Sequence, residues 1–306
     1  MIQFSDNEKA QIMEMVNQLQ LSTGVKSDAK MAVKMGINAA TLSRAKHKEQ
    51  WNMLGEGIWL QLAQYTRFSR DKATEWKHAD TKVSRYLNTQ FGMCQAMSMT
   101  AMLADDPGIG KTHCMREYAR AHANVMCIDC SVSNTKGSFI RAVAREAGST
   151  AKGRLQDILD AAIYAIGLME KPLLILDESG DLEPSALLQL KKLYNALEQR
   201  CGFYMMGSDG FKSKILRGVE FNKLGFTEIF SRFDRDFKHA MSDNSNEKIA
   251  EYKEMAEAIC LANGVDNKED MKRIITDSFC GKRGMGDLRR VRKEVIKLRM
   301  IHEQNG

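Results

Sequence analysis

The chain has 306 residues, 43% of them hydrophobic, which is enough to bury a sizeable core, suggests two or three domains and excludes global disorder. Its 45 basic and 39 acidic residues leave a net charge of +6, which by itself does not indicate a nucleic-acid partner. No apolar run reaches the roughly 18 residues of a membrane helix, and the first residues are polar. We therefore expect a cytoplasmic protein with neither a membrane span nor a signal peptide.

Residues 1–66 are predicted to form a small all-α domain. A first helix with a stripe of apolar residues is followed by a second helix that begins after Ser27. The tight turn expected at Gly36 and a third helix from about Ala39 have the spacing of a helix-turn-helix. An ordinary helical hairpin would show the same pattern.

The third helix of this domain would lie against DNA if the domain is a helix-turn-helix. In that case Thr41 and Arg44 would approach the bases in a groove. Lys46 and Lys48 would be available for phosphates.

Residues 67–88 are polar and densely charged, and we interpret them as a partly helical linker to the next domain. Thr89 and Gln90 follow this linker, just ahead of the strand that leads to a phosphate-binding loop. Nucleotide-binding folds often form the adenine pocket at this place. These two residues are therefore predicted to contact the adenine base.

The stretch from Ala104 to Thr112, ADDPGIGKT, is typical of a phosphate-binding loop between a strand and a helix. Its glycines would let successive backbone N–H groups face a triphosphate, while Lys111 would reach the β and γ phosphates. Thr112 would place its hydroxyl on Mg²⁺. A glycine-rich turn in an unrelated α/β unit is the alternative. The residues of this region predicted to contact ATP are Asp106, Pro107, Gly108, Ile109, Gly110, Lys111, Thr112 and His113.

One position departs from the usual pattern of this loop. Asp105 stands where the first glycine is expected. We therefore expect Asp105 to adopt a backbone conformation that glycine tolerates more easily than aspartate does.

A second strand with functional residues is predicted at Leu173 to Leu176, a continuous apolar run that ends in Asp177 and Glu178. Buried parallel strands have this composition, and their carboxyl ends are where an open α/β sheet places its ligand. Asp177 is a candidate for holding Mg²⁺, and Glu178 is a candidate for polarising the attacking water.

Three residues further along the chain are candidates for contacts with the γ phosphate. Ser208 ends a predicted strand and is placed to sense the phosphate. Arg232 lies between apolar residues near a helix end, and we favour an arginine finger for a neighbouring subunit over a surface salt-bridge partner. Arg289 opens the last helix and would reach the nucleotide from a helical lid.

The last predicted helix is strongly basic, and its outer residues form either a DNA-binding face or an ordinary solvated surface. These residues are Arg290, Arg292, Lys293, Lys297 and Arg299.

Elsewhere, seven cysteines without scaffold spacing fit reduced thiols. Cys127 and Cys130 form a C-x-x-C within a predicted strand, whose third-neighbour side chains point to opposite faces, so a redox or zinc role is not favoured.

The order of these segments resembles that of the AAA+ ATPases. A narrower resemblance covers nearly the full chain: Arg116-Glu117-Tyr118 after the loop, and Val219-Glu220-Phe221 ahead of Phe230-Ser231-Arg232, are similar to segments of the Mu B-like phage transposition proteins. It implies an α/β fold, with an AAA+ P-loop NTPase core and parallel sheet at residues 89–238. A helix-turn-helix domain would precede this core and an α-helical lid would follow at residues 239–306.

The same resemblance implies an ATP- and Mg²⁺-dependent ATPase that binds double-stranded DNA largely without sequence preference, assembles as a helical filament and recruits a transposase. Transferred motif by motif, Lys111, Glu178, Ser208 and Arg232 would be catalytic, and Arg289 would be a second sensor. Thr112 and Asp177 would hold the metal ion. Candidates for DNA contact by position are Lys136, Lys152, Arg154, Lys212 and Lys214, in addition to Thr41 and Arg44.

Two other classes of protein remain open from the sequence. A helicase loader or replication initiator shares the ATPase motifs. A transcription regulator would use the helix-turn-helix for one operator and ATP as a signal. The pair of Glu178 and Arg232 favours turnover of ATP over sensing alone.

Overall fold

A computed structural model of the chain describes residues 3–23, 25, 27–66, 68, 76–280 and 285–305. Within these residues, helices surround one four-stranded parallel sheet, and a two-stranded antiparallel ribbon lies near the carboxyl end. No helix in the described ranges is both long and apolar enough to span a membrane.

The amino-terminal helices pack around their own hydrophobic core, in which Ile12, Met31, Leu42 and Trp59 are completely buried. Ser5, Ser27 and Asn38 each cap a helix by accepting a hydrogen bond from a backbone N–H of its first turn. These helices are α1 (Asp6–Ser22), α2 (Asp28–Lys34), α3 (Ala39–Lys46), a 3₁₀ turn (Lys48–Met53) and α4 (Glu56–Thr66).

Helix α5 (Lys82–Met97) begins inside the predicted linker and passes through the predicted boundary at residues 88 and 89. Its buried positions Val83, Leu87, Phe91 and Cys94 are spaced as one helical face, and they pack against the sheet. The strand expected from Met97 therefore starts later, at Thr100, because the helix occupies the residues before it.

The four parallel strands have the spatial order β1-β4-β3-β2. Residues on opposite faces of each strand enter different cores: Met102 and Leu174 face one layer of helices, whereas Leu103 and Ile175 face the other. The strands are β1 (Thr100–Ala104), β2 (Val125–Asp129), β3 (Leu173–Asp177) and β4 (Gly202–Gly207). The prediction of an α/β core with a parallel sheet and helical flanks is thus confirmed.

The helices of the core lie on both faces of the sheet. One face is covered by five helices, α7 (Lys136–Glu146), α8 (Leu155–Gly167), α9 (Pro184–Leu197), α10 (Asp209–Glu220) and α11 (Phe226–Arg232). The other face is covered by α5, by α6 (Lys111–Ala121) and by the carboxyl-terminal helices. The phosphate-loop sequence thus lies at the junction of the sheet with the last part of the chain.

Among the described residues, the carboxyl-terminal part contains three helices and a short ribbon that the sequence did not indicate. The elements are α12 (Ser245–Ala262), α13 (Lys268–Ser278), β5 (Phe279–Cys280), β6 (Met285–Gly286) and α14 (Leu288–Asn305). Before them, Lys238 forms an isolated parallel bridge with Leu103, so the chain continues the sheet beyond β1 for a single residue.

Candidate functional site

The loop after β1 has the conformation that binds anions in parallel-sheet proteins. Gly108 and Gly110 have φ values of +82° and +98°, which glycine adopts without strain, and α6 begins directly after Gly110. At Gly108 a Cβ would lie 2.4 Å from Oδ1 of Asp287, so a larger residue would collide with the carboxyl-terminal part. The loop therefore directs backbone N–H groups and a helix amino terminus toward one point.

A cavity of about 330 Å³ opens in front of this loop. It brings together most of the predicted nucleotide contacts: Pro107, Gly108, Ile109, Gly110, Lys111, Thr112, His113, Glu178 and Arg289. Asp106 does not line it; instead its carboxylate pairs with Lys248 of α12 at 2.9 Å. The cavity thus lies between the sheet edge and the carboxyl-terminal helices, where α/β proteins bind their ligands.

Lys111 is the buried cation of the cavity, with only 7% of its surface exposed. Its Nζ donates hydrogen bonds to the backbone carbonyls of Asp105, at 2.9 Å, and Asp106, at 2.7 Å. Burial lowers the pKa of Lys111, and nearby carboxylates, above all Asp105 and then Glu178, oppose this effect. The ammonium group is therefore held at the loop by oxygen atoms that a phosphate can replace.

Thr112, which lines the cavity, contacts Asp177, the residue that ends β3. The Thr112 hydroxyl donates to Oδ2 of Asp177 at 2.5 Å. Burial raises the pKa of Asp177, while the hydrogen bond from Thr112 opposes that shift. A hydroxyl and a carboxylate oxygen suit Mg²⁺, which takes oxygen ligands and leaves most positions to phosphate and water. Accordingly, no group of three or more His, Cys, Asp or Glu side chains forms a metal cage in the described residues.

Glu178 lies beside this pair with its side chain half-buried and lining the cavity. Its backbone is left-handed, at φ 50° and ψ 44°, a conformation that costs non-glycine residues on the order of 1–3 kcal/mol. Burial, and then the carboxylate of Asp177, raise the pKa of Glu178. A carboxylate with a raised pKa at the cavity wall is suited to accept a proton from water.

The far side of the cavity was not predicted. It is formed by residues from several parts of the chain, and the additional lining residues are Trp76, His78, Ala79, Thr81, Cys114, Arg116, Ile259, Leu288 and Arg292. The guanidinium of Arg292 lies 5.3 Å from the centre of the Trp76 ring, which is cation–π distance. The rings of His78 and His113 are linked by a 3.0 Å contact between Nδ1 and Nε2.

Thr89 and Gln90 do not take part in this site, which corrects their predicted adenine contact. Both lie within helix α5, and Thr89 is exposed and donates its hydroxyl to the carbonyl of Arg85. Residues 76–81 line the cavity instead of Thr89 and Gln90, because the chain crosses the cavity before α5 starts.

The expectation about the backbone of Asp105 is also wrong, since its φ is not positive. The residue is 4% exposed, and its carboxylate accepts hydrogen bonds from the N–H groups of Asp106, Ala240 and Met241. Aspartate at this position therefore bonds through its side chain to the backbone, which glycine could not do.

The three predicted γ-phosphate contacts occupy different places. Arg289 lines the cavity. Ser208 follows β4 at its carboxyl end but does not line the cavity, and it is the N-cap residue of α10. Arg232 lies at the opposite end of the sheet, since its carbonyl accepts a 2.6 Å hydrogen bond from the hydroxyl of Thr100 at the start of β1. Its guanidinium is stacked 5.2 Å from the ring centre of Tyr194.

Several predicted DNA contacts are corrected by their surroundings. Thr41 is only 8% exposed, and its hydroxyl donates to Asn38, the cap of its own helix. Lys46, expected to be free for phosphates, pairs with Asp28 at 2.5 Å. Lys214 donates to two backbone carbonyls of the segment after Glu178. These three side chains are therefore committed to contacts within the chain.

The remaining candidates differ in exposure. Lys212 is half-buried and lies 5.9 Å from the centre of the Phe237 ring. Four of the other candidates are exposed: Arg44, Lys136, Lys152 and Arg154. On α14, Arg292 faces the cavity and Arg299 donates to the carbonyl of Asn263, so the predicted basic face of that helix is not continuous.

Comparison with known proteins agrees with this geometry. Residues 101–214 match the AAA domain family. The chain is 26% identical over 214 residues to the Mu-like prophage FluMu DNA transposition protein B of Haemophilus influenzae, an alignment that covers 68% of this chain and 74% of that protein. The parallel sheet, the AAA domain match and the similarity to this relative together support a resemblance to the Mu B-like proteins of the AAA+ family.

Proposed function

We propose that this chain is a Mg²⁺-dependent ATPase that acts on DNA in transposition. The observation that carries the proposal is the arrangement of Lys111, Thr112 and Glu178 around one cavity at the phosphate-binding loop, with Asp177 hydrogen-bonded to Thr112. A cation, an oxygen pair for a metal ion and a candidate base are the parts that hydrolysis of a nucleoside triphosphate needs. The relative's role in transposition supports the biological setting.

In this mechanism the loop N–H groups and Lys111 bind the phosphates, and Thr112 and Asp177 would hold Mg²⁺ through their side-chain oxygens. When bound, the metal ion neutralises charge on the phosphates. Glu178 orients a water molecule for attack on the γ phosphate and accepts its proton; the raised pKa of its carboxyl suits this task. Arg289 lies at the cavity wall and is placed to stabilise the phosphate from the lid.

Arg232 would complete the site of a neighbouring subunit. Strand β1 separates it from its own phosphate loop by roughly 13 Å, the length of four residue steps. Arg232 is only half-buried, so part of this residue remains accessible to a neighbouring subunit. An arginine supplied in this way contributes on the order of 10³ to 10⁵ in rate.

We further propose that assembled subunits bind double-stranded DNA through backbone contacts and recruit a transposase. The exposed basic residues Arg44, Lys136, Lys152 and Arg154 are the remaining candidates for the DNA contacts. Binding through phosphates releases counterions, so its affinity should fall steeply with salt.

The test is electron microscopy of the protein with non-specific duplex DNA in ATP, a slowly hydrolysed analogue or ADP, together with ATPase assays. Lys111→Ala is the control. Filaments that require ATP or the analogue and are absent from the variant support the proposal. Discrete complexes on one sequence, indifferent to nucleotide, would indicate a regulator, and a stably bound helicase would indicate a loader.

A further inference from the structure

The junction between the phosphate-binding loop and the lid contains a carboxylate that the ATPase mechanism does not use. Lys238 continues the sheet beside β1: its N–H donates to the carbonyl of Met102 at 2.7 Å, and its carbonyl accepts from the N–H of Ala104 at 3.2 Å. In a regular parallel ladder, the next pair of hydrogen bonds would join Ala240 to the backbone of Ala104 and Asp106.

Asp105 replaces that next pair of backbone bonds with its side chain. Its Oδ2 accepts from Ala240 N–H at 2.7 Å and Met241 N–H at 3.0 Å, and its Oδ1 accepts from Asp106 N–H at 2.8 Å. The ladder therefore ends without leaving these N–H groups unpaired, and the backbone after Ala104 is free to turn into the loop.

The same loop contacts the lid in two more places. Asp106 pairs with Lys248 of α12, and the carbonyl of Gly108 accepts from the N–H of Leu288 at 3.1 Å. Meanwhile the ammonium of Lys111 is bonded to the carbonyls of Asp105 and Asp106. Asp105 and Asp106 therefore each contact the ammonium of Lys111 through a backbone carbonyl. Through their side chains, Asp105 contacts the segment that leads to the lid and Asp106 contacts the lid itself.

We infer that Asp105 is a positioning residue for nucleotide binding and hydrolysis: its carboxylate fixes the phosphate-binding loop and Lys111 against residues 240 and 241, where the chain passes from the sheet into the lid. This inference rests on the proposed ATPase function.

The expected effect is opposite to the one that the loop pattern alone suggests. Glycine at position 105 would match the usual phosphate-loop pattern, so a pattern-based argument predicts that Asp105→Gly is harmless. The structure predicts a loss, because the buried N–H groups of Ala240 and Met241 would lose their acceptor. Asp105→Asn retains one acceptor oxygen, so its loss of function should be smaller than that of Asp105→Gly.

The experiment compares the full-length wild type, Asp105→Asn, Asp105→Gly, Lys111→Ala and Ile166→Val. Ile166 is fully buried on α8, on the other face of the sheet, and its variant controls for general loss of stability. Three experiments are done well below the melting temperature: a titration that gives the dissociation constant of a fluorescent ATP analogue, steady-state kinetics that give kcat and KM for ATP, and amide hydrogen exchange of residues 238–241.

Asp105→Gly should weaken nucleotide binding and kcat/KM on the order of tenfold to a hundredfold, since a loop displaced by about 1 Å no longer matches the phosphates. Exchange should accelerate at residues 240 and 241 in both Asp105 variants, but not in Ile166→Val. Unchanged nucleotide affinity and unchanged local exchange in Asp105→Gly, with nucleotide binding lost in Lys111→Ala, would overturn the inference about Asp105 but not the proposed ATPase site. Unchanged binding and hydrolysis in Lys111→Ala would instead refute the proposed ATPase site.

Discussion

Replacing Lys214 with methionine separates a role in catalysis from a role in DNA binding. Its Nζ donates to the carbonyls of Gly180 and Leu182, each at 2.7 Å. These carbonyls lie within and directly after the 3₁₀ turn (Ser179–Asp181) that follows Glu178, and Asp181 N–H closes this turn on the carbonyl of Glu178 at 2.9 Å. Lys214 therefore connects helix α10 to the segment that orients the candidate base.

The size of the effect follows from these contacts. Hydrogen bonds from a charged donor contribute about 1.5–3 kcal/mol each, but Lys214 is half-exposed, so water will replace part of the loss. We expect a destabilisation of roughly 2 kcal/mol and a melting temperature lower by several degrees. Displacement of Glu178 should lower kcat on the order of tenfold or more. KM for ATP should change little, since the phosphate loop is not touched.

The assay is steady-state ATP hydrolysis without and with DNA, together with DNA binding at several salt concentrations. Lys212→Met is the matched control, because Lys212 lies on the same helix next to Phe237 and donates no hydrogen bond to the turn after Glu178. If Lys214→Met keeps its DNA-free kcat but loses DNA affinity, with a salt dependence reduced by about one charge, the reasoning is refuted and Lys214 is a DNA contact.

Other substitutions test the cavity and the assembly. Glu178→Gln should reduce hydrolysis by at least about a hundredfold while ATP still binds. In the wild type, the hydrolysis rate should fall as the pH decreases through the pKa of Glu178, which is raised above 4.5. A hydrolysis rate that falls only at pH values below 4.5 would contradict this prediction. Burial lowers the pKa of His113 below 6.5, so the unfolded chain binds more protons and stability should be lost as pH falls below about 6.5. This acid-sensitive part should disappear in His113→Gln, as followed by thermal melts, whereas an unchanged profile would show that the burial of His113 does not contribute to the acid sensitivity. Arg232→Ala and Lys111→Ala should each be inactive alone, yet a mixture should regain hydrolysis, because Arg232→Ala supplies an intact cavity and Lys111→Ala supplies an intact arginine finger. A mixture without activity would argue against a site shared between subunits.

The phosphate end of the site was predictable because its information is local. A strand, a glycine-containing turn and a helix in sequence fix Lys111 and Thr112, and a parallel strand that ends in carboxylates must place them at the same sheet edge. The hydrogen bond between Thr112 and Asp177 is the direct result of that rule. The opposite end of the cavity is assembled from Trp76, His78 and Arg292, and no spacing in the sequence indicates that these residues meet.

The wrong predictions arose where a side chain found a partner within the chain. Thr41 was expected on the exposed face of its helix, but it turns back to the cap residue Asn38, a spacing of three that the sequence did contain. Lys214 was a candidate by its position in the sequence, although its target is a backbone carbonyl, which leaves no trace in the sequence. The position of a basic residue in the sequence is therefore a poor guide to nucleic-acid contacts in this chain.

The placement of Arg232 constrains how subunits assemble. Its carbonyl contacts the amino end of β1, whereas the cavity lies beyond the carboxyl end of the same strand. A two-fold dimer joins one surface patch to its own copy, so a shared site in such a dimer would need one patch that spans both ends of the sheet. If Arg232 instead completes a neighbour's site in a head-to-tail arrangement, two different surfaces meet, which is a heterologous contact. Repetition of such a contact produces a closed ring or an open helical filament. Each interface would then contain one nucleotide site, so ATP binding and filament growth would be coupled through the same contact. Hydrolysis of ATP would therefore weaken the interface on which hydrolysis itself depends.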